Sequence, residues 1–546
     1  MSDMSPFAQT IFNQKYAHLK PDGTLESWSE VADRVAETVL KAVHAKKSLV
    51  RDVAHAIEQR KFIPGGRYLY ATGRPYHQVQ NCLLMSVEDS REGWADLLQK
   101  SSLALMTGAG IGVDYSAIRG EGKMIRKTGG IATGPIALMK MLNEVGRGVM
   151  QGGSRRSAIW AGLNWQHPDI LKFIELKNWS QDVRDLKEKD FNFPAQMDGT
   201  NISVQLDDEF FDAMDDENHP KHTHASLVYW ATVKQMLKTA EPGFSIDVGK
   251  NRKETLRNAC TEVTSDTDSD ICNLGSINLA RISSLEEMKE MVELGTALLL
   301  AGTVYSDVPY PKVDQVRTKN RRLGLGLMGI HEWLLKNGKK YGPDSDLEKY
   351  LEIYATSTKI AHRLSDEWDI SRSAKTRAIA PNGTIGIVAE TTTGIECIFG
   401  VAIKRRYLKH LTWNYQYVID PTAQRLINEG IAPDSIEDAY SLAENVERRV
   451  EFQAWVQRFV DHGISSTINL PAWGSPLNNE SRVKPFGDML LKYLPQLRGL
   501  TCYPDGARGG QPITPVRYQT AIQHVGNVYQ EAVDICDLTK GGTCGA

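Results

Sequence analysis

The 546-residue chain has no run of about 18 consecutive apolar residues, so no membrane-spanning helix is predicted. No basic-then-apolar leader opens it either, which predicts a cytoplasmic protein. Lys and Arg number 64 against 67 Asp and Glu, a formal net charge of -3, so nothing calls for a nucleic-acid partner and any anion must be bound by local sites. Cysteine is scarce: seven residues are too few for a disulfide scaffold, no Cys-x-x-Cys pair occurs, which speaks against structural zinc, and no metal-ligating residue is predicted. An odd count in a reducing compartment suggests free thiols and transient redox chemistry. What remains is ordinary for a globular protein, 41% apolar and 24% charged, with length for one large α/β unit or two or three domains.

The few cysteines stand in unusual company. Asn258-Ala-Cys-Thr-Glu262 places an amide, a thiol and a carboxylate on alternate residues. In an extended segment these project the same way, so one sugar-sized ligand could meet all three. Asp270-Ile-Cys-Asn-Leu-Gly-Ser-Ile-Asn-Leu279 adds Cys272, and Gln80-Asn-Cys-Leu-Leu84 adds Cys82. A free cysteine usually packs as a small hydrophobe, but Asn258 and Glu262 are poor core residues and costly to bury without partners. A reaction needing one reactive sulfur and a separate dithiol has its parts here.

Residues 25–62 read as helical, with Val31, Val35, Val39 and Ala42 at helical spacing and Pro64-Gly-Gly66 as a stop. Beyond Cys82, short apolar runs alternate with helical patterns: Ala158-Ile-Trp-Ala-Gly162 before Pro168-Asp-Ile-Leu-Lys-Phe-Ile-Glu-Leu176, then Ile202-Ser-Val204, Arg322-Leu-Gly-Leu-Gly-Leu327 before a helix from Ile330, and Arg377-Ala-Ile-Ala380. Such alternation predicts parallel strands with helical crossovers, in a large barrel or a wide sheet. The organisation predicted is an N-terminal helical segment (1–64), an α/β unit (65–500) and a flexible tail (501–546). In that tail Cys536 and Cys544 make a candidate mobile dithiol.

Three glycine-rich stretches invite a phosphate reading. Ile379-Ala-Pro-Asn-Gly-Thr-Ile-Gly386 runs from an apolar segment into a small-residue turn, whose backbone N–H groups and Thr384 hydroxyl suit anionic oxygens. Met150-Gln-Gly-Gly-Ser-Arg-Arg-Ser157 combines flexibility with two guanidiniums capable of forked contacts. Ala109-Gly-Ile-Gly-Val-Asp114 looks like a dinucleotide fingerprint but follows a helical pattern rather than a strand, and is rejected as one.

Taken together, Asn81-Cys82, Gly110-Ile-Gly112, Gln151-Gly-Gly153, Asn258-x-Cys-x-Glu262, Cys272-Asn-Leu-Gly-Ser-Ile-Asn-Leu279, Ala380-Pro-Asn-Gly-Thr384 and Gly394-Ile-Glu396 resemble, in order, the catalytic subunits of ribonucleotide reductases of class I and class II. The resemblance implies a ten-stranded α/β barrel of two parallel five-stranded halves, with Cys260 at the tip of a central finger loop. It implies replacement of a ribose 2'-OH by hydrogen: a thiyl radical at Cys260 abstracts the 3'-hydrogen, Glu262 acts as general base, Asn258 orients, and Cys82 with Cys272 supplies the reducing equivalents. Cys536 and Cys544 would re-reduce that pair and be served by thioredoxin or glutaredoxin. Asn81 and Asn382, Gly383, Thr384 and Ile385 would hold the substrate diphosphate. Asp89 and Arg119 would bind a dNTP or ATP specificity effector, and Gln151 and Arg155 would report it to the substrate base, in a homodimer.

Three departures bear on the radical source and on regulation. Cys397 replaces the proline that usually follows Gly-Ile-Glu and is read as a packing variant. Nothing resembles an N-terminal ATP cone, so on/off control by ATP and dATP is not expected. Thr501-Cys-Tyr-Pro504 stands where class I subunits carry paired tyrosines, leaving only Tyr503 as a candidate radical carrier. The cofactor expected is therefore adenosylcobalamin or, failing that, a radical-generating ferritin-like small subunit that contains metal. Anaerobic glycyl-radical relatives are disfavoured, since no Arg-Val-x-Gly-Tyr-like stretch ends the chain. The competing reading is a catalytically silent nucleotide-binding or regulatory subunit, against which the retention of all three chemical cysteines weighs.

Overall fold

The computed structural model describes residues 4–126, 129–149, 157–190, 193–409, 412–507 and 513–530. The predicted helical stretch at 25–62 forms two helices, Trp28–Lys41 and Lys47–Glu58, broken at 42–46. Val31, Val35 and Val39 face the core as their spacing requires, and a capping box between Ser27 and Glu30 starts the first helix.

Fourteen strands position the site: β1 Phe62–Pro64, β2 Cys82–Ser86, β3 Gly110–Asp114, β4 Ile159–Asn164, β5 Thr200–Asp207, β6 Gly243–Asp247, β7 Leu256–Arg257, β8 Thr264–Ser265, β9 Asp270–Asn278, β10 Leu323–Met328, β11 Ala402–Lys409, β12 Thr412–Ile419, β13 Thr467–Leu470 and β14 Gly499–Pro504. Ten of them form one sheet in the order β1-β9-β2-β3-β4-β5-β6-β14-β13, with β10 also on β9. Strands β2 to β6 run parallel. At one end β9 joins β2 antiparallel, and at the other β14 joins β6 antiparallel. Beyond these seams β10 is parallel to β9, and β13 to β14. The architecture is thus mixed α/β on a large sheet. The expected strand at Arg377-Ala-Ile-Ala380 forms only two isolated parallel bridges, Leu325 with Arg377 and Ile379 with Ile464. A smaller sheet pairs β11 with β12 and adds Ile513–Pro515 and Val528–Gln530 at its edges.

Side-chain alternation divides the sheet into two faces. On β2, Leu83 and Met85 join the core under the flanking helices, whereas Cys82 and Leu84 join a small cluster with Leu256, Val263, Cys272 and Ala378. Strand β9 repeats the pattern. Ile271 and Ile277 enter the helix-covered cores, and Asn273, on that same face, donates to the Tyr68 hydroxyl (2.7 Å) and the Leu299 carbonyl (2.8 Å). Cys272 and Ser276 take the opposite face.

Candidate active site

A hairpin of β7 and β8 carries Asn258 to Val263 as its tip, on the face lined by Cys82 and Cys272. Strand β3 accommodates it through glycine: a Cβ on Gly112 would stand 1.9 Å from the Arg257 carbonyl oxygen, and one on Gly110 would stand 3.1 Å from the Ala259 side chain. The Gly-x-Gly pair is therefore a berth for another backbone, which is why it resembles a phosphate loop without following a strand. Asp114 accepts from Thr255 at 2.8 Å, Gln205 donates to the Thr255 carbonyl at 2.9 Å, and Asn201 donates to the Ala259 carbonyl at 3.3 Å. Gly463 N–H donates to the Glu262 carbonyl at 2.7 Å from the far side.

The tip is not the extended segment expected from its alternating residues. Thr261 adopts φ +69°, and Thr261 N–H donates to the Asn258 carbonyl at 3.1 Å, closing a turn. That turn folds Asn258 back on Glu262: Asn258 Nδ2 donates to Glu262 Oε1 at 2.9 Å, and Val263 N–H donates to Asn258 Oδ1 at 3.0 Å. Glu262 Oε2 is buried with no hydrogen-bond partner among the described residues. Burial pushes the Glu262 carboxyl up to about 7. Cys260, at the apex, is part-exposed.

Cys82 and Cys272 stand directly opposite each other across the antiparallel β2–β9 seam, and both are buried. Opposed residues in such a ladder have Cα atoms about 4.5–5.5 Å apart, inside the roughly 4.4–6.8 Å span of a disulfide. Burial, followed by the nearby Glu262 carboxylate, Cys272 and Cys260, holds the Cys82 thiol well above its ordinary range. The Cys272 thiol is raised the same way, by burial and then Asp270. Two protonated thiols, a third sulfur and a carboxyl poised near neutrality thus gather on one face of the sheet.

Among the other predicted positions, Asn81 flanks Cys82, its N–H donating to the Cys272 carbonyl at 3.2 Å. Asn382 is buried beside the same face: Ser276 donates to its Oδ1 at 3.1 Å, and its amide reaches the Leu327 carbonyl at 3.4 Å. Gly383, Thr384 and Ile385 open the short helix Gly383–Ala389. Arg119 pairs with Asp89 at 2.7 Å, away from the thiols, on the wall of a cavity of about 420 Å³ that also takes in Trp94, Ile118 and Ile131. Tyr503 lies on β14 opposite Asn469. The preceding Cys502 is buried, its thiol pushed up to about 12, so the strand turns these neighbours to opposite faces. Cys397 is buried in the core as the packing reading expects. Gln151, Arg155, Cys536 and Cys544 lie outside the described residues.

A group of charges at the base of the hairpin was not visible in the sequence. Arg257 pairs with Asp247 at 2.5 Å, Arg498 donates to Glu254 at 3.1 Å, and Lys375 pairs with the same Glu254. Thr264 N–H donates to His462 Nδ1 at 3.1 Å. Glu254 is held at about 2 despite burial, by Lys375 and Arg498, whereas burial and then Arg498 bring Lys375 down to about 8. The network closes over long sequence distances, Lys375 with Glu254 across 121 residues and Arg498 with Glu254 across 244, so no local pattern reveals it.

Residues 80–226, 217–368 and 367–493 match the barrel domain of ribonucleotide reductase, and residues 2–77 match its all-alpha domain. The chain belongs to the ribonucleotide reductase family. It is similar to the vitamin B12-dependent ribonucleoside-diphosphate reductase of Thermoplasma acidophilum, at 26% identity over 94% of this chain and 72% of that relative. A Mycobacterium tuberculosis protein of the same description (strain H37Rv) is 25% identical over 94% of this chain and 79% of its own length. The ribonucleoside-diphosphate reductase large subunit of Plasmodium falciparum (isolate FCR-3) is 26% identical, covering 58% of this chain and 44% of the relative. No helix among the described residues is long and apolar enough to cross a membrane.

Proposed function

We propose that this chain is the catalytic subunit of a ribonucleoside-diphosphate reductase, replacing the 2'-OH of the ribose by hydrogen to supply deoxyribonucleotides. The observation that carries the reading is the meeting of Cys82 and Cys272 across one seam, under a hairpin whose tip bears Cys260, Asn258 and Glu262. Cys260, as a thiyl radical, takes the 3'-hydrogen. Glu262 Oε2, buried and unpartnered, accepts the 3'-OH proton, and the Asn258 amide keeps the other oxygen occupied. Loss of the 2'-OH as water requires a proton and two electrons. Cys82 and Cys272 provide them and close to a disulfide, and their raised thiol pKa keeps protons available. Asn81 and the 382–385 turn are assigned to the diphosphate, with Asn382 anchored through Ser276.

Adenosylcobalamin, when bound, supplies the one-electron oxidant for the Cys260 thiol. The residues fit such a group: Cys260 is the part-exposed thiol while Cys82 and Cys272 are buried, and the position before Tyr503 holds a buried cysteine in place of a second tyrosine. The names of the Thermoplasma and Mycobacterium relatives agree with this source. The closed ten-stranded barrel finds support in the Leu325–Arg377 and Ile379–Ile464 bridges, which run from β10 toward β13. Asp89 and Arg119 are assigned to the effector, and the exposed Leu103, Met106 and Met141 on the nearby helices Arg91–Met106 and Gly134–Gly148 to a dimer contact.

The test is reduction of cytidine and guanosine diphosphates by purified protein, with dithiothreitol as reductant, with and without adenosylcobalamin and then with a candidate metal-containing small subunit. Turnover with the cobalamin alone is expected. No turnover under any condition would remove the enzymatic assignment.

A further inference from the structure

At the C-terminal end of the short helix Gly383–Ala389, away from the 382–385 turn, three guanidiniums converge. Arg60 pairs with Glu390 at 2.6 Å, and Arg425 pairs with Glu332 at 2.8 Å. Glu332 also holds Lys336 at 2.8 Å. Arg281, on the turn Leu279–Arg281 that leaves β9, has no side-chain hydrogen bond or ion pair among the described residues. Burial and then Arg60, with Arg425 behind them, pull its pKa below the ordinary guanidinium range, an effect that the attraction of Glu332 and Glu390 only partly offsets. The nearby carboxylates are already engaged: Glu390 also accepts from Ser5 N–H at 2.9 Å, Glu332 from Thr391 at 2.6 Å, and Asp420 caps the helix Pro421–Asn428 through Ala423 N–H at 2.9 Å. Glu429 stands 3.9 Å from Arg425. Four cations thus face four carboxylates, and Arg281 is the one cation among them with no direct partner.

Arg281 and Arg425 share the wall of a groove of about 630 Å³ between β12 and the helix Pro421–Asn428. Gln416, Gln424, Asn428 and the Arg60-paired Glu390 line it as well, and Gln424 donates to Asn428 Oδ1 at 2.9 Å. A half-buried guanidinium with no direct partner, its charge still disfavoured despite the carboxylates nearby, is an arrangement that an anion would relieve. Guanidinium forks and amide donors around one cavity match the tetrahedral oxygens of a phosphate.

We propose that this groove binds the phosphate group of a small phosphate ester, with Arg281 as its principal contact and Arg425 and Asn428 beside it. The site is separate from the thiol-lined face and from the Asp89–Arg119 cavity, so it neither needs nor tests the reductase assignment.

The experiment is phenylglyoxal modification of the full-length protein, followed by peptide mass mapping, with ribose 5-phosphate, adenosine 5'-monophosphate or succinate present at equal ionic strength. Ribose 5-phosphate is expected to slow labelling of Arg281 about tenfold once it stands about ten times above its Kd. Stronger protection by the monophosphate would extend the site to nucleotides, and equal protection would confine it to the phosphate. Asn428→Asp, which sets a carboxylate on the rim, should abolish protection, and Arg119→Ala should leave it intact. An unchanged Arg281 labelling rate with both phosphate esters, equal protection by succinate, or protection surviving in Asn428→Asp would each overturn the proposal.

Discussion

At the scale of single residues, Glu262 combines two demands that conflict elsewhere in the protein. As the proposed general base it must be buried to meet a substrate hydroxyl without competition from water, and it must ionise. Burial raises its carboxyl to about 7, so the base becomes competent as pH rises through neutrality. Lys375, brought down to about 8, loses the charge that ties the hairpin base to Glu254 just above that point. The expected kcat profile is therefore a bell with limbs near 7 and 8, and Lys375→Arg should move the alkaline limb upward while leaving the acid limb in place. The same carboxyl carries a stability signature. Its folded pKa lies above the unfolded value of 4.5, so its protonated form stabilises the fold fully below pH 4.5, and that contribution is lost as pH rises through about 7. Glu262→Gln should consequently gain stability over wild type between pH 5 and pH 8, by up to about 3 kcal/mol, measured by urea denaturation at both pH values. An unchanged difference would mean that the carboxyl is solvated. Cys260→Ser should abolish turnover while leaving the melting temperature nearly unchanged, since Cys260 alone of the three site thiols is part-exposed.

At the scale of elements, the hairpin β7–β8 is held by what its neighbours lack as much as by what they offer. Gly112→Ala would place a methyl group 1.9 Å from the Arg257 carbonyl oxygen, a contact that only movement of the hairpin can relieve. A shift of about 1 Å at a reacting group costs on the order of 100-fold in rate, so this variant should lose kcat by at least that factor with a smaller change in KM, as steady-state kinetics would reveal. The strands around the hairpin were legible in the sequence because glycine-bounded apolar runs alternate with helical periods, as at Leu323–Met328 before the helix Ile330–Lys336. The site residues were legible as types, since an amide and a carboxylate flanking a cysteine are unusual in a core. Their geometry was not. Alternation suggested an extended ledge, whereas the left-handed Thr261 makes a turn, and a single φ reversal has no signature in a non-glycine residue. The dinucleotide reading of Gly110 and Gly112 was rejected from the sequence, but their true partner was not legible there, because a berth for backbone and a cradle for phosphate both call for a missing side chain.

At the scale of the whole molecule, Leu103, Met106 and Met141 are 40%, 62% and 49% exposed on two helices that approach the Asp89–Arg119 cavity. Covering them by a second copy would couple the effector assignment to assembly. Met106→Glu is therefore expected to shift the protein toward monomer in analytical ultracentrifugation and to weaken the effect of dNTPs on substrate preference, while basal diphosphate reduction persists. Monomer and dimer fractions unchanged from wild type would detach the effector cavity from any interface. Cys536→Ser with Cys544→Ser should lose thioredoxin-supported turnover and keep turnover driven by dithiothreitol.

The position of the facing cysteines has a mechanical corollary. Strand β2 belongs to the parallel run that ends at β6, and β9 begins the run that continues through β10. A covalent link between Cys82 and Cys272 would rivet one run to the other at their junction and would close a loop of roughly 190 residues in the unfolded chain, which favours the native state by several kcal/mol. Each catalytic turn would then fasten and release the scaffold itself, so the protein should be hardest to unfold at the moment when its chemistry is spent, and reductant should soften it back to readiness.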